Sequence, residues 1–287
     1  MIRYVALTVA LLVAGGAHAE PRPPVTPVRA DKLILVGDST VAVHGGWGGS
    51  FCSRHVMSSL ACLNLARGGR STYNYRAEGS WDIARGEMRG DGYRRVYVLV
   101  QFGHNDQPGK PGRSTDLQTE YPANLRRYVE EIRAAGATPI LVTPLARRQF
   151  ADARLIDDLA PWAAAMRKVA TDMRVPLVDL HARSTAAVQA LGPVGAMQFA
   201  QRPPSPELVA AAMSGTTAET SVVARGASSQ AATPAAVQAN VAAEPMGQAK
   251  LAFDYTHLGA DGADFFAAIV TDELARVLPE LRPGLVP

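Results

Sequence analysis

Short apolar runs alternate with longer amphipathic segments along most of this chain. Residues 33–36, 62–66, 96–102, 139–142 and 176–180 are nearly continuous stretches rich in Val, Leu and Ile. Runs this short and this apolar fit strands buried on both faces, as in a parallel sheet. Between them the spacing becomes helical. Residues 51–60, 121–135, 155–173, 182–191 and 259–278 are read as helices, with stripes such as Leu125, Tyr128, Val129 and Ile132, or Ala163, Met166, Val169, Ala170 and Met173. Gly136 ends the second of these helices. Residues 73–92 are polar and arginine-bearing and read as a connection. Five strands alternating with helices predict an α/β fold built on a parallel, doubly wound sheet.

Two stretches break the pattern. Residues 1–19 carry Arg3, an apolar run over 4–14 and then Ala17-His18-Ala19. That is the form of a secretory signal cut after Ala19, followed by a proline-rich lead over 20–30. The expected location is therefore periplasmic or secreted, with no stable membrane insertion. Residues 203–250 are dominated by Ala, Ser, Thr, Gln and Pro, and no aromatic residue occurs between Phe199 and Phe253. Such a segment buries too little apolar surface to offset its ordering entropy, so a flexible insertion is expected, with local helix near 207–213. The remainder, 31–287, reads as one domain.

Composition adds few constraints. With 47% hydrophobic and 19% charged residues the chain is globular. A net charge of +3 is too small to argue for a nucleic-acid partner, and a monomer is expected. Two cysteines, Cys52 and Cys62, exclude a disulfide-framework fold and a cysteine-rich zinc site. Export would permit a bridge between them, but two buried thiols are the expected state, because spacing alone does not reveal geometry.

Candidate chemistry gathers where apolar runs end. The first closes in Gly37-Asp38-Ser39-Thr40, the second in Gly68-Gly69-Arg70-Ser71, the third in Gly103-His104-Asn105-Asp106. In open α/β sheets these carboxyl ends line the ligand crevice. Ser39 or Thr40 could equally cap a helix. A serine nucleophile, however, needs an imidazole oriented by a carboxylate, and Asp254 and His257 on one late loop supply both. The N–H groups of Ser39 and Gly69 and the amide of Asn105 are candidate oxyanion donors. Other motifs fail. No G-x-S-x-G elbow, Walker loop, dinucleotide fingerprint, H-E-x-x-H or EF-hand pattern is present. Zinc held by Asp254, His257 and His104 is the weaker reading of the same residues, so no metal and no cofactor is expected. His44, His55 and His181 lie outside these blocks and read as surface or capping residues.

Four blocks in order, Gly37-Asp38-Ser39-Thr40, Asn64-x-Ala66-x-x-Gly69-Arg70-Ser71, Gly103-His104-Asn105-Asp106 and Asp254-x-x-His257, resemble the SGNH, or GDSL-type, hydrolases. Gly69-Arg70-Ser71, Thr143-Pro144-Leu145-Ala146-Arg147-Arg148 and Thr256-His257-Leu258-x-x-x-Gly262-Ala263 resemble, more narrowly, the rhamnogalacturonan acetylesterase branch. The resemblance covers about 31–202 and 251–280, and the insertion departs from the compact family pattern. It implies a flavodoxin-like three-layer αβα sandwich with a five-stranded parallel sheet. It also implies metal-free serine esterase chemistry with Ser39 as nucleophile, Asp254 and His257 as its partners, and Ser39, Gly69 and Asn105 as the oxyanion hole. The substrate the resemblance implies is an acetylated polysaccharide, a pectin-type rhamnogalacturonan glycan, deacetylated through an acetyl-serine intermediate. Arg70, His104 and Arg147, within or beside these blocks, are the expected substrate contacts. Arg67, Arg70, Arg76, Arg147 and Arg148 read either as a solvated face or, if they line the cleft, as a preference for an acidic glycan. The alternatives left open are another SGNH lipase or thioesterase, a peptidoglycan O-acetylesterase, and a non-catalytic glycan-binding protein on the same fold.

Overall fold

A computed structural model of the chain describes residues 26–90, 92–217, 234–243, 247 and 251–287. The expected leader at 1–19, residues 20–25 and parts of the insertion lie outside these described residues. In chain order the strands are β1 (Asp31–Gly37), β2 (Leu60–Asn64), β3 (Val96–Gln101), β4 (Thr138–Val142), the short pair β5 (Phe150–Ala151) and β6 (Arg154–Leu155), and β7 (Leu177–Val178). The helices are α1 (Gly48–Arg54), α2 (Asn74–Ala77), α3 (Ser80–Glu87), α4 (Glu120–Ala134), α5 (Ala160–Met173), α6 (Leu180–Gly195), α7 (Pro206–Met213), α8 (Pro234–Ala243) and α9 (Ala260–Val277).

β1, β2, β3, β4 and β7 form one parallel sheet in the order β2-β1-β3-β4-β7. Alternation along each strand sends side chains to two separate cores. Leu33 and Leu35 of β1 join Tyr97, Leu99, Ile140 and Val142 on one face, under Phe51 of α1, Val188 of α6 and Phe266, Val270 and Leu274 of α9. Ile34 and Val36 join Val98, Val100 and Leu141 on the other, under Trp81 of α3, Leu125 and Val129 of α4 and Trp162 and Met166 of α5. The result is the expected three-layer α/β architecture. Strand order reverses at β1, so the crevice at a topological switch point opens between the carboxyl ends of β1 and β3.

Four expectations change. The polar stretch over 73–92 contains α2 and α3. Tyr75 and Trp81 there are buried, and Arg76 is neutralised by Glu131 at 2.6 Å while lying 4.9 Å from the Tyr128 ring centroid, so its charge masks a packed surface. The helix expected over 155–173 starts at Ala160, with Pro161 in its first turn. The residues before it turn through Asp152 and Ala153, both at positive φ, to pair β5 with β6. Cys52 and Cys62 are joined by a disulfide rather than left as thiols, because α1 lies over β2 and brings the two Cα atoms to 5.4 Å. Within the insertion, α7 falls where local helix is expected and is capped by Ser205, and α8 adds a second helix beyond that expectation. α7 also packs: Ala212, Leu208 and Val209 cluster with Met197, Phe253 and Tyr255. None of the described helices is long and apolar enough to cross a membrane.

Candidate active site

The turn after β1 presents Ser39. Gly37 is required there, since a Cβ would stand 2.7 Å from both the Gln101 carbonyl oxygen and Val41 Cγ2. Asp38 is fully buried, and its Oδ1 accepts from the Thr40 N–H at 2.8 Å and the Thr40 hydroxyl at 2.7 Å. Thr40 Oγ1 accepts in turn from Gln101 Nε2 at 2.7 Å. The helix-cap reading of Ser39 and Thr40 fails, because the next helix begins only at Gly48. Ser39 is 7% exposed, and its hydroxyl lies 2.9 Å from His257 Nε2.

The loop before α9 carries the other two residues. Asp254 Oδ1 accepts from the N–H groups of Thr256 at 2.7 Å and His257 at 2.6 Å, which folds the loop around its carboxylate. Oδ2 is left to meet His257 Nδ1 at 2.6 Å. Burial would raise the Asp254 carboxyl, but the hydrogen bond and charge of His257 outweigh it and hold the group below its ordinary value. A carboxylate, an imidazole and a hydroxyl thus stand in line, with Nδ1 directed to the acid and Nε2 to the hydroxyl, an arrangement able to move a proton off Ser39.

The loops after β2 and β3 meet beside Ser39. Asn64 Nδ2 donates to the Val41 carbonyl at 2.8 Å and its Oδ1 accepts from the Ala66 N–H at 3.0 Å, joining the end of β2 to the Ser39 turn. Gly69 takes φ 74°, open to glycine at little cost. Asn105 Nδ2 donates to the Arg70 carbonyl at 3.0 Å, and Asp106 accepts from the Thr72 N–H and the hydroxyls of Thr72 and Thr115. Among the described residues, the N–H groups of Ser39 and Gly69 donate to no backbone acceptor. Burial pushes the Asp106 carboxyl up to about 7 and Lys110, whose ammonium donates to the His104 carbonyl, down to about 7.

Of the three expected substrate contacts, Arg70 and Arg147 are engaged by protein partners, while both ring nitrogens of His104 are buried without a hydrogen-bond partner among the described residues. Arg70, 1% exposed, is clamped on Glu78 through Nε at 3.0 and 2.9 Å and Nη2 at 2.8 Å, and donates to the Gly68 carbonyl, so it braces the Gly69 loop from beneath. His104 is buried with Nδ1 3.6 Å from Asp38 Oδ2. Burial lowers its pKa, while Asp38 opposes that shift and is itself held low by the contact. Arg147 bonds Asp158, Gln107 and Thr256. Nor are the remaining arginines a solvated face: Arg76 bonds Glu131, Arg67 lies 3.8 Å from Glu78, and Arg148 is buried. Gln101 is a site-building residue that reading the sequence did not single out, and Asn64 and Arg148 stood in the quoted motifs without the structural roles they take here. The only signal for Gln101 was position, at the end of β3. Among the described residues, no group of three His, Cys, Asp or Glu side chains is placed to hold a metal ion.

Residues 35–194 match the model of the GDSL-like lipase/acylhydrolase family. The chain belongs to that family. As a member it is a carboxylic-ester hydrolase, and the matched region carries the Ser39, Gly69 and Asn105 loops while Asp254 and His257 lie beyond it. Two Bacillus subtilis proteins are similar. The "probable rhamnogalacturonan acetylesterase YesY" is 34% identical over 164 residues, 55% of this chain and 73% of the relative. The rhamnogalacturonan acetylesterase RhgT is 34% identical over 171 residues, 56% and 70%. Among solved structures, B. subtilis YxiM superposes with a TM-score of 0.56 at 19% identity, covering 87% of this chain and 57% of that one, which supports the shared fold.

Proposed function

We propose that this GDSL hydrolase is an exported O-acetylesterase that removes acetyl groups from a pectin-type polysaccharide through an acetyl-serine intermediate. The observation that carries the reading is the aligned pair of contacts, Ser39 Oγ to His257 Nε2 at 2.9 Å and His257 Nδ1 to Asp254 Oδ2 at 2.6 Å. Ser39 attacks the acetyl carbonyl as His257 takes its proton, and Asp254 keeps the ring in the tautomer that can accept it. Charge developing on the carbonyl oxygen is met by the N–H groups of Ser39 and Gly69 and the Asn105 amide. The tetrahedral intermediate collapses as its bond to the sugar oxygen breaks and His257 protonates that oxygen, releasing the sugar hydroxyl. A water, deprotonated by the same imidazole, then attacks the acetyl carbon, and as the bond to Ser39 Oγ breaks His257 returns the proton to that oxygen, releasing acetate and restoring Ser39.

The pectin-type substrate is supported by the names of the two B. subtilis relatives. Export is supported by the leader-like pattern of residues 1–19 and by the Cys52–Cys62 disulfide, which suits an oxidising compartment. The test is acetate release from acetylated rhamnogalacturonan, acetylated xylan and acetylated peptidoglycan, by wild type and by Ser39→Ala. The reading expects fastest release from rhamnogalacturonan and none from Ser39→Ala. Faster release from xylan or peptidoglycan would overturn the substrate, and an active Ser39→Ala the nucleophile.

A further inference from the structure

The carbonyl groups of the Asp254–His257 loop converge on one residue. Arg148 Nη2 donates to the carbonyls of Asp254 at 3.0 Å and His257 at 2.8 Å, Nη1 donates to that of Thr256 at 3.3 Å, and the Arg148 N–H donates to that of Tyr255 at 2.8 Å. Four consecutive carbonyl oxygens are thus bound by a single residue. The opposite edge of the loop, the N–H groups of Thr256 and His257, is bound by Asp254 Oδ1. Arg147 adds a bond from Nη1 to Thr256 Oγ1 at 2.6 Å.

The guanidinium sits in an unusual place. Arg148 is 1% exposed and, among the described residues, makes no ion pair within salt-bridge distance, so its charge is compensated by the carbonyl dipoles and, at longer range, by the Asp254 carboxylate. Burial pushes it down to about 10, which leaves it charged at neutral pH. A buried cation without a paired carboxylate costs folding free energy, and an apolar side chain of similar volume would fill the space without that cost. What the cation supplies is directional: charge-assisted hydrogen bonds from a rigid, planar fork.

The fork is anchored to the sheet. The segment from the end of β4 to Arg148 is tied down where the Thr143 hydroxyl donates to Asp179 at 2.9 Å and the Ala146 N–H donates to Ser184 Oγ at 3.0 Å, and Leu145 is fully buried. The catalytic loop comes from a different part of the chain, with undescribed residues 248–250 shortly before it and α9 after it. Its tie to the nucleophile turn is the Leu258 N–H donating to the Gly45 carbonyl at 2.9 Å. Tyr255, at its centre, packs on α7 of the insertion.

We propose that Arg148, with Arg147 beside it, is a positioning residue of the catalytic triad, holding the Asp254–His257 loop against the sheet so that His257 stays within hydrogen-bond reach of Ser39. The inference rests on the triad reading above and goes beyond it by assigning work to two arginines whose bonds go to neither the Ser39 hydroxyl nor the His257 ring. Such a device acts on the turnover step, because misplacing a catalytic group by about 1 Å costs about 10²-fold in rate while acetyl binding is left alone.

The test uses the purified protein as wild type, Arg148→Lys, Thr256→Val and Ser39→Ala. It measures kcat and KM on p-nitrophenyl acetate, thermal melting, and the far-downfield proton resonance of the Asp254–His257 hydrogen bond. Arg148→Lys keeps one nitrogen donor but not the planar fork. It is expected to lose about 10²-fold in kcat with KM within about threefold, and to lose or broaden the downfield resonance. Thr256→Val removes only the Arg147 contact, leaves the buried charge in place and keeps the test open if the lysine variant does not fold. About a tenfold loss in kcat is expected, the worth of one hydrogen bond. A folded Arg148→Lys with kcat within about threefold of wild type, or a loss carried by KM, overturns the role of Arg148. Unchanged kcat in Thr256→Val overturns that of Arg147. An active Ser39→Ala would instead overturn the triad reading itself, so the two failures are distinguishable.

Discussion

Replacing Asp254 by Asn changes one atom and inverts the proton logic of the site. Oδ1 accepts two backbone N–H groups, at 2.7 and 2.6 Å, so the amide oxygen of an asparagine must take that position; the flipped amide would set its NH2 against two donors. The amide nitrogen is then forced to where Oδ2 meets His257 Nδ1 at 2.6 Å. Two donors cannot share that contact, so Nδ1 must become the acceptor and the ring proton moves to Nε2, which faces Ser39 Oγ at 2.9 Å. The imidazole then presents a donor where a base is needed. In serine hydrolases this tautomer inversion costs about 10⁴-fold in kcat, equivalent to about 5.5 kcal/mol of barrier. KM should change little, since the carboxylate does not touch the acyl group. Steady-state kinetics on p-nitrophenyl acetate, with melting curves to establish folding, measure both quantities. Retention of more than about one tenth of wild-type kcat by folded Asp254→Asn would refute the assignment of Asp254 as the orienting carboxylate.

Two further outcomes follow from the same geometry. Reducing the Cys52–Cys62 bridge, or replacing both residues by Ser, opens a loop of sequence separation 10 and should lower stability by about 2–3 kcal/mol in urea titration while leaving kcat at 25 °C unchanged, because the bridge ties α1 to β2 away from Ser39. Asp106 is raised to about 7 by burial, so the folded chain keeps a proton that the unfolded chain releases near pH 4, and stability falls as pH rises between those values. Asp106→Asn should remove that slope, gaining more than about 1 kcal/mol relative to wild type between pH 5 and pH 8; Lys110 titrates alongside in both proteins, and an equal difference at the two pH values would contradict the argument.

Legibility varied with how local each signal is. Strands β1, β3 and β4 were plain, because burial on both faces leaves an apolar run that no neighbouring element has to explain. The helices α2 and α3 were hidden, since their arginines are neutralised by Glu131, which is distant in sequence and adjacent in space. The hairpin before α5 rests on positive φ at Asp152 and Ala153, neither a residue that announces such a turn as glycine does. Arg70 and Arg147 look like glycan contacts when read as charges near a motif. Only the fold shows that Glu78 and Asp158 already hold them.

By itself the sequence determined the α/β class, the rim of strand ends at which Ser39, Gly69 and Asn105 appear, and the pairing of Asp254 with His257, all consequences of short-range periodicity and spacing. The tertiary structure decided what depends on long-range approach. It set His257, 218 positions from Ser39, within 2.9 Å of its hydroxyl, it joined Cys52 to Cys62, and it turned four carbonyls of the Asp254–His257 loop onto Arg148. The reason is physical. A hydrophobic period needs only the chain's own geometry, whereas a hydrogen bond between distant residues exists only once both cores have packed and fixed the separation of the loops that carry them.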